Sequence, residues 1–561
     1  MIQREIAPYL LRLFKQFPFV TVTGPRQAGK TTLCRTVFDH LAYISLDAVD
    51  VRVKAESDPR GLLAELGTPA VIDEIQHVPS LVSYLKERAD ELGSNGLYVL
   101  TGSANLRLTA TVSESLAGRT ALLRLMPFSL AERKMANPQV SVNELIFGGF
   151  YPRVVDQQLH PRSTLADYFE TYVERDVLRL GGVGDLTAFR NFATLCAGRI
   201  GQLINLSSLG DDAGISHTTV RQWLTVLERS YIAFLLQPHF ANIRKRLVRT
   251  PKIYFYDVGL ASYLLGIERV EQVATHPLRG ALFENIVVSE ALKHRWNRGD
   301  EPRLSFFRDS RGLESDLLYE TGWGINAIEI KSGATVKSDM LRSLRKVAEI
   351  LPEVTAKTLV YSGDRFESRT DVDIVPLVEF ATALERFDTE TVVVVSSGGT
   401  PVVGIDVLAL FPNGTCRSAT TDAKGIARFD LYTDNLSMMV FVAGQGWEGH
   451  ISTGWLPSDG ALNVEMTPLG DGGSVIFEDQ TGYLPDIKGR LNPILDNSNR
   501  TYLYATNVAI NGGAQQPVNF AVGHEMLNLV DAYGNERDVR VVAMHGQSSL
   551  LEYRSLPEAE Q

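Results

Sequence analysis

Nine consecutive residues, Gly24, Pro25, Arg26, Gln27, Ala28, Gly29, Lys30, Thr31 and Thr32, follow the β-rich run FPFVTVT and open the helical pattern TTLCRTVF. They fit the spacing GxxxxGK[ST]. Glycines at these places let successive backbone N–H groups wrap a phosphate, and the helix start adds its positive end. The ligand this implies is ATP with Mg²⁺, with Lys30 reaching the β- and γ-phosphates and the Thr31 hydroxyl on the metal. Forty-three residues after Lys30, the apolar run Ala70-Val-Ile ends in Asp73-Glu74. An acid pair there completes the same chemistry: Asp73 holds Mg²⁺ through water and Glu74 polarises the attacking water. The next run, Leu97-Tyr-Val-Leu-Thr101-Gly102-Ser103, ends in small hydroxyl residues. Inserted beside the first strand, it would bring Thr101 or Ser103 to the γ-phosphate as a sensor. Arg119 is a candidate for stabilising transition-state charge, in cis or from a neighbouring subunit. The expected catalytic set is therefore Lys30, Asp73, Glu74, Ser103 and Arg119. Cys34, one turn into the helix, reads as a buried small hydrophobe.

Two further groups of residues suggest nucleic-acid chemistry. Glu284 lies in a helical pattern, Asp316 in a hairpin region, and Glu329 and Lys331 two apart on a strand, hence on one face. Asp316 and Glu329 could share a second divalent metal, with Glu284 as a further acid. Lys331 would then orient water or stabilise charge at phosphorus. Upstream, INLSSLGDDAGISHTTVRQWLTVLERSYI has the plan of a helix-turn-helix. Gly214 supplies the turn, Ser216 the cap, and Val220, Leu224 and Leu227 the buried stripe. Thr218, Thr219, Arg221 and Gln222 would face outward to DNA. Arg244, Lys245, Arg246, Arg249 and Lys252 follow without an acid, as a basic wing on phosphates would. Intramolecular packing of the same helix pair, with the basic run as a solvated face, is the competing reading.

These residues need elements to hold them. Residues 1–160 alternate short β-runs (Phe19–Thr23, Tyr43–Leu46, Ala70–Ile72, Leu97–Thr101) with helical patterns, the signature of a parallel α/β sheet. Residues 161–250 are mainly helical, and 251–380 bring back short strands around the helix Ser338–Leu351. From about residue 390 the chain is strand- and turn-rich. It reads as β-sandwich modules over 390–468 and 473–555, with Asp471-Gly-Gly473 as the linker.

GPRQAGKTT, VIDEIQHVP, LTGSAN and SLAGRTALLRLMPFSLAE, with Gly148-Gly-Phe-Tyr-Pro152, Tyr172-Val-Glu-Arg-Asp176 and Pro251-Lys-Ile-Tyr-Phe-Tyr-Asp257-Val-Gly-Leu260, resemble a bacterial and archaeal family. These are AAA-type P-loop ATPases with a C-terminal nuclease-like domain, and the resemblance spans about residues 1–380. It implies a nucleotide-switch ATPase, then a winged helix-turn-helix, then a restriction-endonuclease-like fold. Asp316, Glu329 and Lys331 match the PD-(D/E)xK pattern. Gly399-Thr-Pro-Val-Val-Gly404 and Thr421-Asp-Ala-Lys-Gly425 resemble a transthyretin-like or carboxypeptidase-regulatory-like β-sandwich.

Composition bounds the rest. The 561 residues carry a net charge of −11, which excludes a wholly basic nucleic-acid-coating surface. Residues 390–561 hold 20 acidic and 9 basic residues, so the whole imbalance lies in the β-modules and marks them as a protein-facing or solubilising appendage. Three scattered cysteines exclude a disulfide scaffold and suit a reducing, cytoplasmic setting. The N-terminal stretch reads as an amphipathic helix interrupted by Arg4, Glu5, Arg12 and Lys15, and no membrane contact is expected. The expected function is a Mg-ATP-hydrolysing switch associated with nucleic acid. The alternatives are a nucleotide-gated partner-binding protein with an inactive nuclease fold, in defence or stress signalling, or an ATP-licensed metal-dependent DNA nuclease.

Overall fold

A computed structural model of the chain describes residues 2–102, 116–173, 185–239, 250–322, 324–369, 371–387, 391–412, 416–429, 437–456, 460–496, 498, 500–513 and 517–554. Ser103, Arg244, Lys245, Arg246 and Arg249 lie outside the described residues, as do residues 174–176 of one quoted motif. The chain divides into two compact units, residues 1–366 with 374–384, and residues 367–373 with 385–561.

The first unit opens on helix α1 (Ala7–Gln16), which buries Leu10 and Leu13 as its amphipathic pattern requires; Arg4 precedes the helix. Five strands follow: β1 (Phe19–Thr23), β2 (Ala42–Ser45), β3 (Ala70–Asp73), β4 (Tyr98–Thr101) and β5 (Thr120–Arg124). They form one parallel sheet in the order β2-β3-β4-β1-β5. β1, β3 and β4 are buried throughout, which accounts for their near-continuous apolar sequences. Successive residues serve opposite faces: Phe19 joins Ile72, Leu85 and Leu100 in one core, and Val20 and Val22 join Leu10, Leu33 and Leu123 in the other. Burying each of these side chains contributes about 1.5–3 kcal/mol. The four β-runs read from the sequence agree with the observed strands to within one residue. β4 follows β3 in the chain yet lies between β3 and β1, with Thr101 opposite Val22 and Leu100 opposite Ile72. That insertion sets the C-terminal ends of three strands side by side.

Helices Leu206–Ala213 and His217–Arg229 meet at Gly214, whose φ of 66° is a conformation that glycine adopts at little cost. Asn205 accepts from the N–H groups of Ser207 and Ser208, and Ser216 accepts from that of Thr219. Val220, Leu224 and Leu227 are buried together with Trp223, whose ring stands edge-on to Phe189 and Phe192. A hairpin of β6 (Ala233–Leu236) and β7 (Lys252–Phe255) follows, with Leu236 opposite Lys252. Two quoted motifs meet just beyond it. The Asp257 carboxylate accepts from the N–H of Phe150 at 2.7 Å and of Leu260 at 2.9 Å, and a Cβ on Gly259 would lie 2.7 Å from the Gly149 nitrogen.

The long helix Arg279–Arg298 then packs on β9 (Glu314–Glu320) and β10 (Ile325–Lys331), which share a sheet with β8 (Leu304–Arg308) and β11 (Val354–Tyr361). Their order is β11-β10-β9-β8, with β10 parallel to β11 and antiparallel to β9. The helix expected over 338–351 is a 3₁₀ turn, Ser338–Leu341, leading into an α-helix, Arg342–Ile350.

From Thr391 onward the described elements of the second unit are all β. Thr391–Ser397 pairs with Ile426–Phe429 and Leu462–Glu465, and a second sheet runs Cys416–Thr420, Asp406–Leu410, Met438–Ala443, His450–Trp455. Val393 and Val395 of the first sheet share one core with Val407, Ala409, Val440 and Val442 of the second. In the Thr421–Gly425 turn, Asp422 accepts from the N–H groups of Lys424 and Ile426, and Gly425 has φ 72°. A separate core around Phe477, Leu491, Leu503, Leu529 and Val541 defines the following module. Asp471-Gly-Gly473 is not a linker. It lies inside the continuous strand Pro468–Phe477. A Cβ on Gly472 would sit 2.2 Å from the Tyr553 carbonyl oxygen, so close backbone approach, not flexibility, explains the glycine there. Among the described residues no helix is long and apolar enough to cross a membrane.

Candidate functional site

The loop after β1 departs from ordinary backbone at Gly24 (φ 142°), Gln27 (φ 59°) and Gly29 (φ 91°). At Gly24 a Cβ would stand 2.0 Å from the Leu125 carbonyl oxygen, so glycine is required by space as well as by φ. Helix α2 (Lys30–Val37) starts directly on the loop. The Lys30 ammonium is buried and donates to the carbonyls of Gly24 at 3.1 Å and Pro25 at 2.9 Å. Arg4, only 9% exposed, braces the loop from outside: Nη1 donates to the Ala28 carbonyl and Nη2 to that of Met126, each at 2.7 Å.

Asp73 ends β3, 3% exposed, as the focus of three hydroxyls. Thr31 donates to it at 3.0 and 3.2 Å, Tyr43 at 2.8 Å, and Thr101 also donates to it. Burial, followed by the bond to Asp73, pushes the Tyr43 hydroxyl up to about 12. Thr31 and Asp73 thus present oxygens to one point beside the loop, the donor type that Mg²⁺ requires, so these residues fit the ion. Glu74 has left-handed backbone (φ 56°, ψ 45°), a conformation costing a non-glycine residue roughly 1–2 kcal/mol. Its N–H donates to Thr101 Oγ1 at 3.2 Å and its carboxylate pairs with Gln76. Loop, α1 and Glu74 line a cleft of about 820 Å³ to which Leu11, Val37, Arg26 and Arg153 also contribute. Cys34 is fully buried, and burial, then Asp73, raises its thiol pKa, as its reading as a small hydrophobe implies.

Arg119 sits elsewhere. Phe19 pairs with Thr120, so Arg119 is at the N-terminal edge of the sheet, whereas the phosphate loop leaves the C-terminal edge after Thr23. The strand between them spans about 13 Å at ~3.3 Å per residue. Its guanidinium is engaged by Asp90 at 2.7 Å. The parallel strand direction therefore keeps Arg119 away from this loop within the chain. Sequence reasoning also missed Arg4 and Tyr43. Arg4 reads along the chain as one more polar residue before a helix; no spacing rule connects it to Ala28.

A second cluster forms where the long helix meets β9 and β10. Glu284, Asp316, Glu329 and Lys331 do come together: Lys331 Nζ lies 2.6 Å from Glu329 and 3.8 Å from Asp316, and Asp316 Oδ2 accepts the Ile330 N–H at 2.8 Å. Burial and then Asp316 raise Glu284 and Glu329 to about 7 each. The expectation that Lys252 belongs to an exposed basic wing is wrong. It is 2% exposed, and its ammonium lies 2.6 Å from Glu314, 3.2 Å from Glu284 and 4.0 Å from Asp316. Burial alone would lower its pKa, but Glu284, Asp316 and Glu314 more than offset this and raise it. Among the described residues no group of three or more His, Cys, Asp or Glu side chains is arranged to hold a metal ion.

Comparison with known proteins places these features. Residues 16–134 match the AAA domain family; residues 139–271 and 279–380 match two domains of unknown function, DUF8612 and DUF4143. Two uncharacterized proteins, Rv2008c of Mycobacterium tuberculosis and Mb2031c of Mycobacterium bovis, are each 31% identical over 383 residues, covering 68% of this chain and 85% of theirs. A 3′ cyclic ADP-D-ribose synthase, AaTIR of Aquimarina amphilecti, is 29% identical over 145 residues, 26% of this chain and 43% of that protein. Among solved structures, the Walker-type ATPase PABY2304 of Pyrococcus abyssi aligns with a TM-score of 0.33 at 16% identity, over 47% of this chain and 96% of its own.

Proposed function

The chain belongs to an AAA-type P-loop ATPase family, the one that includes mycobacterial Rv2008c, and on that premise we propose that it hydrolyses Mg-ATP as a nucleotide-dependent switch associated with nucleic acid. The observation that carries the reading is the convergence of Thr31, Thr101 and Asp73 beside a loop in which Gly24 has no room for a Cβ and Gly29 holds a φ of 91°. Thr31 and Asp73 would hold Mg²⁺, which would neutralise the charge developing on the phosphates. Lys30 swings from the Gly24 and Pro25 carbonyls onto the β- and γ-phosphates. Glu74 orients a water for attack on the γ-phosphorus and accepts its proton, and ADP leaves with the bridging oxygen. Thr101 touches both Asp73 and the Glu74 backbone, so it reports γ-phosphate position to both acids; Ser103 is the second sensor candidate.

A path for the switch is supported by buried contacts. Arg4 joins the Ala28 carbonyl to Glu132 at 3.0 Å, and Glu132 caps the helix begun by Ser129. The same turn is tied to the long helix Arg279–Arg298: Leu130 N–H donates to Glu290 at 2.9 Å and Lys293 donates to the Phe128 carbonyl at 2.9 Å. The helix that makes these bonds, accepting one and donating the other, also carries Glu284. Loop movement on ATP binding therefore has a bonded route to the nuclease-like domain, whose role in this reading is docking. Winged-helix character of 161–250, with Arg221 and Gln222 toward DNA and Arg244, Lys245, Arg246 and Arg249 on phosphates, belongs to the same proposal, as does a protein partner for the acidic β-modules.

The test is ATP binding by titration with a fluorescent analogue. Lys30→Ala is expected to weaken binding by at least about 100-fold, the loss of a charge-assisted phosphate contact worth a few kcal/mol. Unchanged affinity would contradict the site.

A further inference from the structure

We propose that Lys252 is the resident cation of the nuclease-like acid cluster, filling the place a divalent metal would need. In the folded chain this cluster then binds no Mg²⁺ or Mn²⁺, cuts no phosphodiester and serves as a clasp. The inference stands apart from the ATP site.

Three carboxylates, Glu314, Glu284 and Asp316, converge on one ammonium at 2.6, 3.2 and 4.0 Å. A hard divalent ion would need such oxygens within about 2.0–2.6 Å of itself, in the volume the ammonium already occupies. It would also have to enter a pocket holding a buried positive charge, where like charges repel strongly. Other groups engage the same acids. Tyr254 donates at 2.5 Å to the Glu284 Oε1 that Lys252 also holds, Arg308 lies 3.3 Å from Glu314 Oε2, the Ile330 N–H takes Asp316 Oδ2, and Lys331 holds Glu329 Oε1, while Glu329 Oε2 has no hydrogen-bond partner among the described residues. The Lys252 side chain is also packed, its ammonium 5.2 Å from the centre of the Phe306 ring. An ammonium this deeply buried persists only when acids surround it, so lysine and acids specify one another.

The clasp joins two parts of the chain. Lys252 begins β7, whose partner is β6, and it falls in the segment that matches DUF8612; the acids lie at 284–329, in the segment that matches DUF4143. The hairpin thus reaches into the neighbouring domain's acids with its own cation. Withdrawing it would leave Glu284, Glu314 and Asp316 without the cation they share, with Lys331 and Arg308 remaining at the cluster's edge.

The experiment is Mn²⁺ titration of the full-length, nucleotide-free chain, read from the free-ion signal in electron paramagnetic resonance. Wild type and Asp316→Asn are expected to bind the same number of ions, because Asp316 holds lysine and not metal. Lys252→Met is expected to bind one more Mn²⁺ per chain than wild type, and Lys252→Met/Asp316→Asn to lose it. An Asp316-dependent ion in the wild type would overturn the proposal, as would a folded Lys252→Met that gains none. So would Mn²⁺-dependent plasmid nicking by wild type that Asp316→Asn abolishes. If Lys252→Met fails to fold by circular dichroism, the wild-type comparisons with Asp316→Asn and Glu329→Gln still decide.

Discussion

At the scale of single residues, Asp73 shows how a common residue type becomes a site. Three hydroxyls from α2, β2 and β4 reach one carboxylate. Thr31 was legible from the loop motif and Thr101 from its place at a strand end, because both follow from local spacing. Tyr43 was not, since its role depends on β2 lying beside β3, a fact of sheet order. The same split holds for charge. Lys331 could be assigned to the face of Glu329 because a strand repeats every two residues. Lys252 could not be assigned to the acids, because a run of basic residues does not say which of them turns inward. Thr101→Val tests the sensor reading. It removes the contact to Asp73 and to the Glu74 N–H while keeping the strand's shape. Turnover is expected to fall about 10-fold or more, with ATP affinity changed less than about threefold. Equal losses in affinity and turnover would show that Thr101 only builds the loop.

At the scale of elements, the helix Arg279–Arg298 is unusual in burying charge along its length, including Glu290, Lys293 and Arg295. Its sequence has no clean apolar stripe because it is enclosed on more than one side. Burial raises Glu290 to about 8, against an ordinary value of 4.5, and lowers Lys293; Glu290 Oε2 has no hydrogen-bond partner among the described residues. An acid whose pKa is raised by folding contributes stability that is fully present below its unfolded value and is lost as pH rises through its folded value. Thermal unfolding from pH 5 to pH 9 should therefore show Glu290→Gln gaining on wild type as pH rises, since the amide never ionises. A melting-temperature difference that stays flat over that window would refute the buried neutral acid. The strand Pro468–Phe477 carries the complementary lesson. Its glycines resemble a flexible joint in sequence, and only the packing of Tyr553 against them reveals a strand.

At the scale of the whole molecule, the order of segments was legible because each has its own period. Alternating β-runs and helices mark the ATPase sheet, capped helices the pair at 206–229, and short strands with turn residues the C-terminal modules. How the segments act on one another was not legible, since Arg4, Glu132, Lys293 and Lys252 act across more than thirty residues of sequence. Charge also reads differently by region: residues 1–389 are neutral overall, and the acidity lies beyond them. Neutrality neither opposes nor favours nucleic acid, and the proposed contact falls on the helix pair and its basic run. Replacing Arg244, Lys245 and Arg246 by alanine should lower the slope of log affinity against log salt by about 2–3, at roughly 0.9 per phosphate contact. An unaltered slope would remove DNA from that surface.

The central claim is hydrolysis organised by Asp73 and Glu74, and steady-state phosphate release from Mg-ATP tests it most directly. Wild type should turn over. Glu74→Gln should bind ATP with wild-type affinity but release phosphate at least about 100-fold more slowly, the usual worth of a positioned general base. Wild-type turnover in Glu74→Gln would contradict the account.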